Sequence, residues 1–299
     1  MSNESLKIHT VNYSNVKSRK AKVRKVEIDL MHKACVQSGF FLLVNHGLEK
    51  QIGELFDYAR RFFSLPQEEK ERMPRHDRYG YVPNVETAIN AERQTGKAEF
   101  FDLGLGDEIE VAELGDWKES IRCYQMDGIA VASELLKALG ARLGVSNFFF
   151  TEKLINPQCR LRFLHYTKNG PRKEHPLSPH TDYGLITLLA TDGVPGLEIL
   201  GKDNSWFPVV APESSLVVNL GDMLARWTND RYCSTPHRAR TPDVKSRYSI
   251  PFFINPDPES VIEPIESCVT RENPTRYKPI TAGVYLAARI DGDDEPYIE

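Results

Sequence analysis

From Arg160 onward the chain breaks into short apolar runs, each closed by Gly, Pro, Asp or Asn, and this punctuation limits the fold more than any other feature. The runs are 161–166, 184–190, 196–200, 206–210, 215–219 and 248–254. Each is shorter than an ordinary helix and rich in β-branched, aromatic or leucine side chains. Regularly punctuated runs of this kind predict a β-sandwich or barrel.

The first half reads differently. Residues 26–38 predict an amphipathic helix stopped by Gly39, followed by a short buried strand over 40–44 and a turn at Asn45-His46-Gly47. Residues 49–63 and 118–143 predict two further helices, the second closed by Gly144. A short helix over 285–290 and a loose tail over 291–299 are expected at the carboxy end. No linker, repeat or low-complexity tract separates these parts. The expected organisation is a helix-rich region (1–155) packed on a β-core (156–262), then a carboxy-terminal helix and tail (263–299).

Composition narrows the function classes. The 299 residues are 40% hydrophobic and 27% charged, enough to bury a core, and the net charge of −4 lacks the basic footprint of a nucleic-acid binder. No apolar run is long enough to span a membrane, and residues 1–10 lack the apolar core of a signal peptide. Five scattered cysteines (Cys35, Cys123, Cys159, Cys233 and Cys268) form neither a disulfide framework nor a CxxC clip. A monomeric, cytoplasmic protein with no nucleic-acid or membrane partner is expected. The one charge run, Lys17 to Lys25, has six basic residues in nine; it is read as the solvated face of a helix start, with Val23, Val26 and Leu30 leading towards Ala34.

The chemistry concentrates in three places. In Ser178-Pro-His-Thr-Asp182, a strand would send His180 and Asp182 from one face, with Thr181 pointing away. His237 follows in Ser234-Thr-Pro-His237. Two histidines and a carboxylate occupy one face of a metal and leave others open, which suits non-haem Fe(II) oxygenases; zinc hydrolases use the same ligand types. The third place is Arg247-Tyr-Ser249-Ile-Pro-Phe-Phe253, where period two puts Arg247, Ser249 and Phe253 on one face. A buried Arg offers a planar fork for a carboxylate, with a hydroxyl beside it. An anion clamp beside a metal face fits a cosubstrate that chelates metal at one end and carries a carboxylate at the other. The helical His-Glu-x-x-His motif of zinc peptidases is absent.

With these motifs in order, the chain resembles the 2-oxoglutarate and Fe(II)-dependent oxygenases, in the branch that includes isopenicillin N synthase. The resemblance extends to Gly39–Gly47, Phe62–Lys70 and Val217–Asn229, and so covers nearly the whole chain. It implies a mainly β fold with flanking helices around a double-stranded β-helix (jelly-roll) core. It implies Fe(II) on His180, Asp182 and His237, and 2-oxoglutarate held by Arg247 and Ser249 with Tyr166 in reach. It also implies O2 as co-reactant and release of succinate and CO2. Many relatives carry Asn two residues before that tyrosine, where Leu164 stands here. His165 and His46 are read as structural.

The expected activity is oxidation, foremost hydroxylation, of a C–H bond in a small, uncharged or weakly polar, partly planar substrate rather than a protein or nucleic acid. Phe253, Tyr183 and Arg162 are the expected pocket residues, with Tyr81, Phe100 and Phe101 closing the mouth. Two alternatives stay open at this stage: a 2-oxoglutarate-independent Fe(II) oxidase or cyclase on the same fold, and a non-catalytic small-molecule binding protein.

Overall fold

The computed structural model describes residues 7–73, 79–83, 98–106, 111, 114–168, 177–240 and 242–292. Strand β1 (His9–Asn12) and α1 (Tyr13–Val16) precede α2 (Ala21–Gln37), β2 (Phe40–Val44), α3 (Glu49–Ser64) and α4 (Gln67–Glu71). Strands β3 (Gly80–Val82) and β4 (Ala98–Gly104) lead to the long helix α5 (Trp117–Leu143). The β-rich half supplies β5 (Cys159–Thr167), β6 (Leu177–His180), β7 (Ile186–Thr191), β8 (Leu197–Leu200), β9 (Trp206–Pro208) and β10 (Leu216–Leu220). After α6 (Asp222–Trp227) come β11 (His237–Ala239), β12 (Ser246–Ile254), β13 (Val261–Ile262), β14 (Ile280–Thr281) and α7 (Ala282–Asp291).

Eight strands form one sheet in the order β1-β2-β10-β7-β12-β5-β4-β3, and four form a second in the order β6-β11-β8-β9. Period-two alternation divides the large sheet's side chains between two faces. Leu216, Val218, Ile250, Phe252, Leu161 and Phe163 point to one face and join the main core. Val217, Phe40 and Leu42 point to the other and pack on Leu197 and Ile199 of the small sheet. The two sheets therefore face each other, and the result is the mainly β jelly roll with flanking helices that the sequence predicts. Helix α5 covers the outer face, burying Ile121, Tyr124, Val131, Leu135 and Leu139 at three- to four-residue spacing. Complete burial of one such Leu stabilises by roughly 1.5–3 kcal/mol relative to exposure. Gly144 ends the helix in the left-handed region, φ 73°, where a side chain is strained.

Several expectations shift. Helix α2 starts at Ala21, and its inner face runs through Glu27, Met31, Ala34 and Cys35, while Val26 is 69% exposed. Glu27 can be buried because Asn12 N and Asn15 Nδ2 donate to its two carboxylate oxygens. All six basic residues of the 17–25 run are exposed. The region read as helix-rich also supplies four strands, β1 to β4, to the large sheet. Helix α7 starts before Tyr285 and continues through Asp291; residues 293–299 of the expected tail, and 1–6 of the amino terminus, lie outside the described residues.

Candidate active site and metal centre

Strand β6 ends on His180 and pairs with β11 in a register that sets His180 opposite His237, with ring centroids 4.3 Å apart. Asp182 lies just beyond the strand, its Oδ1 3.7 Å from His237 Nε2. One donor atom from each of the three lies within 4.8 Å of the others. The expected strand through Asp182 therefore stops two residues short. A turn aims the carboxylate, because the Asp182 carbonyl accepts from Asp222 N at 2.8 Å where α6 begins. Thr181 does point away, donating its hydroxyl to Asp222.

The surrounding groups fix what each of the three can donate. His180 Nδ1 meets the Ser178 carbonyl at 2.8 Å and His237 Nδ1 meets the Thr235 carbonyl at 3.2 Å. A carbonyl only accepts, so each Nδ1 carries a proton, and Nε2 is the ring nitrogen left for a metal. Asp182 Oδ2 accepts from Thr187 Oγ1 at 2.5 Å and Asn219 Nδ2 at 2.6 Å, which leaves Oδ1 towards the histidines. Burial first, and then the adjacent His237, pushes the His180 pKa down to about 4, so the ring is neutral at neutral pH. Burial alone would raise Asp182; His237, His180 and the two donors outweigh it and hold the carboxyl below its ordinary range. Two imidazoles and one carboxylate, each oriented by a further bond, fit a divalent cation.

The clamp residues line the same cavity, whose empty space including its open mouth is about 1190 Å³. Arg247, Ser249, Pro251 and Phe253 all border it, as period two along β12 predicts. Arg247 is 2% exposed; its Nε donates to the Val194 carbonyl, and its buried Nη1 has no hydrogen-bond partner. A buried guanidinium nitrogen left unpaired beside a cavity costs stability unless an acceptor arrives. Such an acceptor is what a carboxylate ligand supplies. Tyr166 stands opposite Arg247 in the β5–β12 pair, its ring 4.7 Å from the guanidinium and its hydroxyl 3.3 Å from Ser249 Oγ. Leu164 packs with Ala98, Phe100, Tyr166 and Ala239, so that position forms an apolar wall.

Phe253, Tyr183 and Arg162 also border the cavity, and Leu286 of α7 joins them. Arg162 is held by Asp102 through two 2.6 Å bonds, and Arg289 lies 4.7 Å over the Tyr183 ring. Tyr81 and Phe101 do not close the mouth. They point to the opposite side of the sheet, where Phe62 packs on both, because residue 101 alternates with residue 100 along β4. Phe100 does face the cavity side, under Arg162. His165 bonds Glu99 and Ser246 behind the sheet, and His46 bonds the Ser214 carbonyl; both are structural. Sequence reasoning does not single out Thr187, Asn219 or Asp102. The available signal is a polar residue on an otherwise apolar strand, Asn219 within Val217–Leu220.

A sequence profile of the 2OG-Fe(II) oxygenase superfamily matches residues 156–256, and one described as the non-haem dioxygenase in morphine synthesis N-terminal region matches residues 8–132. The oxoglutarate-dependent flavonoid 7-O-demethylase 1 of Ocimum basilicum is 31% identical over 273 residues, covering 88% of this chain and 73% of that protein. The 2-oxoglutarate-dependent dioxygenase ecdK of Aspergillus rugulosus is 30% identical, covering 84% and 89%. Among solved structures, that of a full-length Neurospora crassa protein in complex with alpha-KG superposes with a TM-score of 0.88 at 27% identity, over 97% of this chain and 98% of that one. Among the described residues, no helix is long and apolar enough to cross a membrane. The fold, the triad geometry and these matches along nearly the full length agree: the chain belongs to the 2-oxoglutarate and Fe(II)-dependent oxygenase superfamily and is a 2-oxoglutarate-dependent dioxygenase.

Proposed function

We propose that His180, Asp182 and His237 hold the iron, that Arg247, Ser249 and Tyr166 hold the far carboxylate of 2-oxoglutarate, and that a small molecule bound beside Phe253, Tyr183 and Arg162 is hydroxylated. The observation that carries this reading is that the buried Arg247, whose Nη1 has no hydrogen-bond partner, borders the same cavity as the triad. When bound, iron and 2-oxoglutarate supply O2 activation and two electrons, the latter through oxidative decarboxylation to succinate and CO2.

The chain's own residues supply orientation. The Ser178 and Thr235 carbonyls keep both imidazole Nε2 atoms aimed inward. Thr187 and Asn219 occupy Asp182 Oδ2, so the carboxylate offers one oxygen and leaves room for other ligands. Arg247 sets the direction of 2-oxoglutarate by a charge-assisted fork at its far end. Leu164, Leu189 and Pro251 wall the cavity with apolar surface that keeps water from the reacting C–H. All five cysteines are free, as a reducing cytoplasm would keep them.

The test is a screen of small molecules that follows succinate and oxidised product together under Fe(II) and O2. One succinate per product is expected, with turnover lost in both His180→Ala and His237→Ala. Product without succinate would reject the role given to Arg247, and normal turnover in both histidine variants would reject the metal assignment.

A further inference from the structure

Among the described residues, more arginines border the cavity than the metal and cosubstrate positions use. Among the described residues bordering it, Arg160, Arg162, Arg238 and Arg247 are cationic, and Asp182 is the one carboxylate. Asp182 and Arg247 already have roles in the reading above. Arg238 is held within its own sheet, where Glu198 accepts from its Nε at 2.7 Å and Trp206 lies 4.0 Å from its guanidinium. Arg160 and Arg162 lie two residues apart on the cavity face of β5.

Both lie against the same buried carboxylate. Asp102, fully buried, binds Arg162 through Nε and Nη2 at 2.6 Å each, and its Oδ2 lies 3.8 Å from Arg160 Nη1. Among the described residues, two guanidinium groups thus share one carboxylate on this wall, in a chain whose net charge is −4. The fork of Arg162 is fixed by its bidentate pair, and that pair does not engage Nη1. An aromatic surface lies alongside: the Phe253 ring is 5.1 Å from the Arg160 guanidinium and 5.9 Å from that of Arg162, and Phe100 backs Arg162 at 3.9 Å.

We propose that the substrate is a planar small acid, an aromatic or heteroaromatic ring bearing a carboxylate, with its ring on Phe253 and its carboxylate met by Arg162 and Arg160. The proposal rests on the iron and 2-oxoglutarate assignments above, which reserve the rest of the cavity. A carboxylate complements the two arginines and matches a guanidinium fork, and a flat ring matches the Phe253 face. An uncharged ligand of the same shape keeps the ring contact but desolvates the guanidinium groups without adding an anion. The expectation of an uncharged or weakly polar substrate draws on the lack of a global basic face, on Tyr183 and Phe253, and on an amino-terminal cover, whereas the described residues of this wall include two arginines.

The test measures binding by calorimetry to the protein loaded with Mn(II) and saturating 2-oxoglutarate, without O2. The probes are phenylacetate, indole-3-carboxylate and 2-naphthoate, each beside its primary amide. At least one acid is expected to bind tenfold or more tightly than its amide. Arg160→Gln, which leaves the Arg162–Asp102 pair in place, is expected to remove most of that preference without changing 2-oxoglutarate affinity, and Arg160→Lys to retain it. Amides binding as well as acids, no acid binding, an acid that merely displaces 2-oxoglutarate, or a preference untouched by Arg160→Gln would each overturn the proposal. Failure of the wild-type protein to bind 2-oxoglutarate would instead strike the reading on which it rests.

Discussion

Asp182 offers a metal one oxygen because its other oxygen is already occupied, by Thr187 and Asn219. Asn219→Ala removes a hydrogen bond to a charged group, worth about 1.5–3 kcal/mol. Loss of such an orienting partner is expected to weaken metal binding about 10–100-fold. A Mn(II) titration checks this, and unchanged affinity would reduce Asn219 to a packing residue. Arg247 has a different part. On the proposed reading, Arg247→Ala removes one partner of a buried charge pair with 2-oxoglutarate, a loss of about 3–5 kcal/mol, which is roughly a hundred- to several-thousand-fold in 2-oxoglutarate affinity. Ser249→Ala loses one bond to a charged group and is expected to cost about 1.5–3 kcal/mol. Equilibrium binding of 2-oxoglutarate to the metal-loaded variants separates the two.

Strand β12 serves the site with one face and the core with the other. Arg247, Ser249 and Phe253 face the cavity, while Ile250, Phe252 and Ile254 face the helices. Helix α5 can lie close against that second face because residue 128 is glycine: a Cβ there would stand 3.0 Å from the Phe252 ring. Gly128→Val is expected to overpack this contact and destabilise the fold by about 1–3 kcal/mol, read from the urea midpoint. Gly144→Ala differs in kind. Nothing lies within 4 Å of its added Cβ, and the cost is the left-handed φ of +73° alone, about 1–2 kcal/mol. Since Gly144 ends a helix on the outer face, catalytic constants of Gly144→Ala are expected to match wild type.

At the scale of the molecule, the large sheet joins regions far apart in the chain. β2 lies between β1 and β10, and β4 lies between β3 and β5. Excising residues 156–262 would strip β10 of β2, strip β5 of β4 with its Asp102, and uncover the sheet face beneath α5. We read the regions 1–155, 156–262 and 263–299 as one folding unit on this ground. The fragment 156–262 is therefore expected to lack near-ultraviolet dichroism, and the full chain to unfold in one transition, with tryptophan fluorescence and far-ultraviolet dichroism coincident in urea. A cooperative transition in the isolated fragment would show that the core stands alone.

What was legible in the sequence is what backbone geometry imposes within a few residues. Period two set the faces of β5 and β12, glycine marked the ends of α2 and α5, and residue type marked the three metal candidates. Strand pairing is a different kind of information, because it depends on which apolar faces can be buried together at a distance. His237 reaches His180 through the β6–β11 register, and Asp102 reaches Arg162, 60 residues on, through β4–β5. The turn that aims Asp182 depends on the start of α6, and the wall of the cavity depends on two arginines gathered around one buried carboxylate. The sequence alone determined which residues can do the chemistry. The tertiary structure decided which of them meet and what charge they present, because burial and long-range hydrogen bonds act between segments that no local window contains.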